Sequence, residues 1–218
     1  MMKKSIIWGS LALFLLSILS CNNDPYTYAL IETDMGNMKV KLYNNTPIHR
    51  DNFIKLAKEE FYDDLLFHRV MRAFMIQGGD PNSKGAPAGQ SLGQGGPGYT
   101  LEPEIGAPHV KGALSAARLP DNVNPKKESS GSQFFIVQGT PQTPEQLDQV
   151  QQIRGIQYPA EIRELYTTIG GFPSLDMEYT VFGEVVEGME VIDKIAVVDT
   201  DPANRPLKDV KMRVTIID

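Results

Sequence analysis

The stretch Phe67-His68-Arg69-Val70 and, just beyond it, Phe74-Met75-Ile76-Gln77-Gly78-Gly79-Asp80 is the densest piece of readable sequence in this chain. Apolar residues, four of them aromatic or β-branched, make up most of residues 66–77, which read as strand material. Gly78-Gly79-Asp80-Pro81 then stops the strand with residues that favour turns. Arg69 lies between apolar Phe67 and Val70. A charge in that setting fits a sheet face beside a pocket, although a lone arginine is more often a solvated surface group.

The sequence on either side supports a β protein. Upstream, residues 26–33 and 37–43 alternate apolar and polar positions around Asp34-Met35-Gly36-Asn37, the pattern of two paired strands. Thr46-Pro47 marks a helix start, with a hydroxyl cap and a proline at the first helical position. Ile48, Phe53, Leu56 and Ala57 give that helix an apolar face. Downstream, residues 78–100 are rich in Gly, Pro, Ser and Asn and read as a long ordered loop. Residues 112–117, 133–138, 179–186 and 211–217 are further strands, 119–132 a polar connection, and 191–197 a second short helix. Residues 144–170 differ in texture. Leu147, Val150 and Ile153 suit one helix, Ile162, Leu165, Tyr166 and Ile169 another, with Pro159 between them. The expected architecture is a closed, mostly antiparallel β-barrel with two flanking helices and a helical insertion at 144–170.

Bulk properties limit the function. The chain has 218 residues, 41% hydrophobic and 22% charged, with mean hydropathy −0.24. That suits one folded domain with a full core. The net charge is −6, and removing Lys3 and Lys4 from the 21 basic residues leaves 19 against 27 acidic. An acidic domain is poorly suited to gripping phosphate backbones, so nucleic acid is not an expected partner. The single cysteine, Cys21, excludes an internal disulfide and a multi-cysteine metal site. His49, His68 and His109 lack metal-ligand spacing, so no metal is expected. His68 reads as structural, bonded to backbone.

Residues 1–20 have the build of a signal peptide: Lys3 and Lys4, then a mostly apolar run over 6–19. Ile18-Leu19-Ser20-Cys21 resembles the bacterial lipoprotein cleavage box, with Leu19 a less typical residue at its place. In that class the cysteine becomes the first mature residue and carries lipid. Residues 21–25 would then be a lipidated tether and 26–218 the mature domain. An ordinary secretory signal with an incidental cysteine is the alternative. Either way the expectation is export, and with lipid on Cys21, a membrane-anchored protein of the bacterial envelope.

Three stretches together resemble the cyclophilins. They are the two segments quoted at the outset, then Gly131-Ser132-Gln133-Phe134-Phe135-Ile136, then Leu175-Asp176 with Tyr179-Thr180-Val181-Phe182-Gly183. The resemblance covers residues 26–218 apart from the insertion. It implies an eight-stranded antiparallel barrel capped by two helices, and peptidyl-prolyl cis/trans isomerase activity with no cofactor. It also implies site roles. Arg69 aligns with the catalytic arginine. Phe74, Met75, Phe135 and Leu175 align with the apolar proline pocket. Gln77, Ala117 and Gln133 align with substrate-contacting positions. The expected partners are proline-containing peptides and unfolded envelope proteins, met by a monomer.

Departures from the family pattern qualify this. Tyr179 replaces a histidine of many relatives and can still wall the pocket. Arg118 replaces an asparagine that often contacts substrate through its main chain; the added charge is expected to favour acidic residues near the proline. Ser174 stands where many relatives place a tryptophan associated with cyclosporin binding, so cyclosporin sensitivity is expected to be weak. Gly93-Gln94-Gly95-Gly96 lacks the Lys-Ser/Thr and the helix of a phosphate loop and is read as shaping the peptide groove. The insertion could overhang the groove, embellish the packing or dock a partner. Two other functions compete with the isomerase: a proline-peptide binding module and a structural lipoprotein. Arg69 favours the enzyme, because holding an apolar ring needs no guanidinium.

Overall fold

The computed structural model describes residues 25–217. The expectations for residues 1–20 and for Cys21 therefore lie outside the described residues. Strands β1 (Thr27–Thr33) and β2 (Gly36–Leu42) form the expected hairpin. Helix α1 (Pro47–Lys58) follows. Its N-terminus is capped differently from the sequence expectation. Thr46 makes no side-chain cap; instead the Glu104 carboxylate accepts from the Ile48 and His49 amides at 3.1 and 2.9 Å and from His49 Nδ1 at 2.7 Å. A carboxylate there satisfies orphan amides and suits the positive end of the helix dipole. Ile48 is 46% exposed, and His49 takes its place on the buried face.

The single strand expected over 66–77 is three short ones: β3 (Leu65–Leu66), β4 (Arg69–Met71) and β5 (Met75–Gly78). The turn between β4 and β5 has no Gly, Pro or Asn to betray it. Ala73 adopts a left-handed φ of 62°, and its amide is held by Gln138 Oε1 at 2.6 Å. Strands β6 (Thr100–Leu101), β7 (Ala113–Ala116), β8 (Ser129–Ser130) and β9 (Phe134–Val137) follow. After helices α2 (Pro144–Arg154) and α3 (Ala160–Thr168) come β10 (Val181–Glu187), α4 (Met189–Ile195) and β11 (Lys211–Ile217).

The main sheet has nine antiparallel strands in the order β3-β11-β1-β2-β10-β7-β9-β5-β4, and β6 pairs with β8 separately. The expectation of a closed eight-stranded barrel is corrected in this detail. The ladder is an open, strongly curled half-barrel, because β3 and β4 occupy its two edges and do not pair with each other. Only Phe67 and His68 separate them in the chain, so the edges return to one point without completing a ring.

Alternation along the strands sorts side chains to two faces. Inward residues such as Ile31, Val40, Ile76, Phe134, Ile136 and Val214 form the main core, covered by Phe53, Leu56 and Ala57 of α1 and by Val191, Ile192 and Ile195 of α4. Met75, Ala113, Phe135, Val137 and Val181 form a second apolar cluster. In β9 the two sets interleave, with Phe134 and Ile136 in the first cluster, Phe135 and Val137 in the second.

The insertion is helical as expected. Thr143 and Gln146 form a reciprocal capping box at the start of α2, and Gly155 ends it at a left-handed φ of 65°. Its apolar stripe is less buried than the periodicity suggests. Leu147 and Tyr166 are sealed, while Ile153 is 78% exposed.

Candidate active site

Arg69 and Gln77 are register partners on β4 and β5, and Gln77 pairs with Phe135 on β9. Short cross-strand distances therefore bring charge, amide and aromatic ring together. Arg69 Nη1 donates to Gln77 Oε1 at 3.1 Å, Gln77 Nε2 to Gln133 Oε1 at 3.1 Å, and Gln133 Nε2 to the Gly95 carbonyl at 2.7 Å. Arg69 Nη2 also reaches Met71 Sδ at 3.0 Å. The guanidinium lies 6.0 Å from the Phe74 ring centroid. It is half-buried, and desolvation pushes its pKa down. A fixed cation in a partly dried setting acts more strongly on a bound dipole than one in bulk water.

Beside Arg69 lies the second apolar cluster. Met75 and Phe135 are its nearly sealed floor; Phe74, Leu175, Tyr179 and Ala117 are partly exposed around it. Tyr179 meets Phe135 edge-on at 5.7 Å. Sequence reasoning missed Met71 and Phe172, which belong to the same cluster; Phe172 packs on Phe74 at 4.4 Å. The sequence carried no signal for Phe172 beyond its position directly after Gly170-Gly171, where the chain leaves the insertion.

Next to this cluster opens a basin of about 700 Å³, lined by Gln77, Gln133, Ala117, Arg118, Leu119 and the glycine loop, among others. Nine of the ten residues expected in the site thus fall into two adjoining groups, and the tenth, Arg69, joins them through its hydrogen bond to Gln77. Gly93, Gly95, Gly96 and Gly98 line the basin, in keeping with a loop along the groove. Asp80 anchors that loop by accepting from the Gly93 amide at 2.5 Å. No residue of 144–170 lines the basin, so the insertion does not overhang it.

The insertion instead reaches the site from behind. Asp176 is 3% exposed, and its carboxylate accepts from the His109 amide at 2.7 Å, His109 Nδ1 at 2.8 Å, Tyr158 Oη at 2.5 Å and Tyr166 Oη at 2.6 Å. Burial, reinforced by that carboxylate, raises both tyrosine pKa values, so the hydroxyls remain donors. The His109 ring stacks on Phe135 at 6.1 Å. Asp176 was visible in sequence beside Leu175, but its partners were not.

His68 is buried, and burial pushes its pKa down to about 4 against smaller opposing effects of Asp80 and a Leu66 backbone hydrogen bond, in keeping with a structural role. One expectation changes. Arg118 does not offer a free charge. Its Nε donates to the Glu178 carbonyl at 2.8 Å, and its guanidinium also meets Glu178 Oε2 at 3.2 Å and Asp121 Oδ1 at 2.5 Å.

Comparison with known proteins agrees with this geometry. Residues 28–216 match the sequence model of the family "Cyclophilin type peptidyl-prolyl cis-trans isomerase/CLD". A Staphylococcus aureus (strain USA300) protein bearing the name of a peptidyl-prolyl cis-trans isomerase is 37% identical over 182 residues, 83% of this chain and 86% of that protein. A Streptococcus pyogenes protein named for both a phosphatase and a peptidyl-prolyl cis-trans isomerase is 39% identical over 199 residues, covering 88% of this chain and 39% of that longer one. The crystal structure of a Cryptosporidium parvum cyclophilin type isomerase superposes with TM-score 0.63 at 23% identity, covering 88% of this chain and 98% of the other. The same parasite protein, solved in the presence of the dipeptide Ala-Pro, gives TM-score 0.62. With the motifs, the curled sheet and the family match in agreement, this chain belongs to the cyclophilin-type peptidyl-prolyl cis-trans isomerases.

Proposed function

We propose that this isomerase turns X–Pro bonds at Arg69, in proteins exported to the bacterial envelope, while held to a membrane by lipid on Cys21. The observation that carries the catalytic part is the half-buried Arg69 guanidinium, fixed by Gln77 beside an apolar cluster. Rotation about an X–Pro bond is slow because it breaks amide resonance, a barrier of about 18–20 kcal/mol. No covalent bond forms or breaks. In the twisted amide the proline nitrogen becomes pyramidal and gains a lone pair. A donor aimed at that nitrogen stabilises the twisted form over either planar form. Arginine suits the role because it is always charged and its fork of donors is rigid. Gln77 holds one nitrogen of that fork, which limits the orientations the guanidinium samples.

Phe74, Met75, Phe135, Leu175 and Tyr179 hold the proline ring while the preceding residue rotates. Gln77, Gln133, Ala117 and Arg118 flank the adjoining peptide. The Ala-Pro dipeptide present with the parasite relative supports a proline ligand of this kind. The mature domain, residues 26–218, acts as a monomer. Export and anchoring rest on the signal-like segment 1–20 and on Cys21; multiple acyl chains, each CH₂ adding about 0.8 kcal/mol, give stable attachment.

The catalytic test is isomerisation of a short X–Pro peptide by the mature domain beside Arg69→Ala. Losing one preorganised donor lowers kcat/KM by about 10²–10³-fold. A variant as fast as the native domain overturns the role of Arg69. For the anchor, radioactive fatty acid is incorporated by cells making the native chain but not Cys21→Ser; equal labelling of both refutes lipid on Cys21.

A further inference from the structure

Glu178 lies between the insertion and the substrate basin. Its carboxylate meets three cations: Arg118 Nη2 at 3.2 Å, Lys127 Nζ at 2.6 Å and Arg154 Nη1. Arg118 belongs to the basin wall, and Lys127 falls between the lining residues Asn124 and Glu128. Arg154 comes from the last turn of α2 and also donates to the Ser174 carbonyl at 2.7 Å. The Arg118 side chain is 5% exposed and its guanidinium lies 4.6 Å from the Tyr179 ring centroid.

We infer that Glu178 is a specificity-determining residue: by neutralising Arg118 and the cations around it, Glu178 keeps the basin from selecting acidic residues next to the proline. The inference rests on the isomerase activity and concerns which sequences it accepts. Three cations here face two carboxylates, Glu178 and Asp121. Without Glu178 they face one. An uncompensated charge about 8 Å from a substrate side chain changes the preference for Glu over Lys about fivefold even at the dielectric of bulk water. Burial alone would raise the Glu178 pKa. The Lys127 hydrogen bond and the charges of Arg154 and Lys127 outweigh it, so the net shift is downward and the carboxylate stays ionised. The insertion thereby acts on substrate choice without touching substrate, since Arg154 helps to orient the carboxylate.

The test uses X–Pro peptides with Glu, Gln or Lys at each residue flanking the proline, and reads the ratio of kcat/KM for Glu over Lys. A ratio is independent of how much enzyme is folded, so partial destabilisation does not mimic the effect. The native chain is expected to show little charge preference. Glu178→Gln raises the Glu/Lys ratio about fivefold at low salt, less at high salt. Adding Arg118→Gln to it restores the native ratio. Lys127→Asn, on a side chain already 30% exposed, moves the ratio the opposite way and needs no change at Glu178. Ratios within about twofold of native in both Glu178→Gln and Lys127→Asn overturn the inference while leaving the isomerase intact. If the native chain accelerates none of the peptides, the isomerase reading fails and takes this inference with it.

Discussion

The Asp176 cluster makes a quantitative prediction about why the insertion exists. Hydrogen bonds to a buried charged group contribute about 1.5–3 kcal/mol each. Tyr166 is fully buried and donates one such bond from α3. Tyr166→Phe deletes that donor with little change of shape, so it should cost about 1.5–3 kcal/mol. For a domain of this size that lowers Tm by roughly 4–10 °C. Tyr158→Phe should cost less, because its ring is partly exposed. Asp176→Ala is far more severe, since it strands the His109 amide, His109 Nδ1 and both hydroxyls. At about 1–3 kcal/mol per orphaned group, the sum approaches the whole stability of a typical domain, about 5–15 kcal/mol. The pocket should register the milder changes as well. Leu175 precedes Asp176, His109 stacks on Phe135, and the Phe172 amide donates to the His109 carbonyl at 2.9 Å. KM for an X–Pro peptide should therefore rise in Tyr166→Phe more than kcat falls. Thermal melts and peptide kinetics on Tyr158→Phe, Tyr166→Phe and the double variant measure this. Melting of all three within about 1 °C of the native chain would refute a carboxylate held by the insertion.

Three further outcomes follow from other parts of the structure. His68 has a folded pKa of about 4 against 6.5 unfolded, so the unfolded chain takes up its proton first as the pH falls. Stability should drop by up to about 3 kcal/mol between pH 6.5 and 4, and urea midpoints for His68→Gln should vary less over that window; parallel pH profiles would count against a neutral buried imidazole. A Cβ on Gly95 would sit 2.1 Å from Asp80 Oδ1, so Gly95→Ala should displace the loop whose carbonyl holds Gln133 and lower kcat/KM about tenfold, measured on the same peptides. Ser174 is exposed on the short turn Pro173–Leu175 and supplies no indole, so cyclosporin should inhibit weakly in a dose–response measurement; potent inhibition at low nanomolar concentration would contradict this.

The parts legible in the sequence were those governed by local rules. Period-two alternation located β1, β2 and β11 to within a residue, while Thr46-Pro47 placed the start of α1 and apolar spacing on either side of Pro159 placed both insertion helices. The break inside 66–77 was not legible, because Ala73 takes its left-handed turn for a partner, Gln138, far along the chain. The cap of α1 failed for the same reason: Thr46 has the right chemistry, but Glu104, remote in sequence, takes the site. The pairs β6 and β8 were hidden in loop-like composition, since two residues are too few to show a period.

The candidate site divides along the same line. The motifs of the resemblance picked out side chains that the sheet does bring together, because strand register makes Arg69, Gln77 and Phe135 cross-strand neighbours. What sets the charge and rigidity of that face is non-local. Arg118 reads as a free cation in sequence and is a compensated one in space, since Asp121, Glu178 and the Tyr179 ring surround it. The insertion reads as an addition and is keyed to the site through Tyr158, Tyr166 and Arg154. Two buried or half-buried carboxylates on one short stretch, Asp176 and Glu178, receive those keys on either side of the pocket wall formed by Leu175 and Tyr179. A segment attached only for packing would have no need to reach both. Deleting 144–170 should therefore alter substrate choice as well as stability, because it removes the donors that fix Asp176 and one of the cations that orient Glu178.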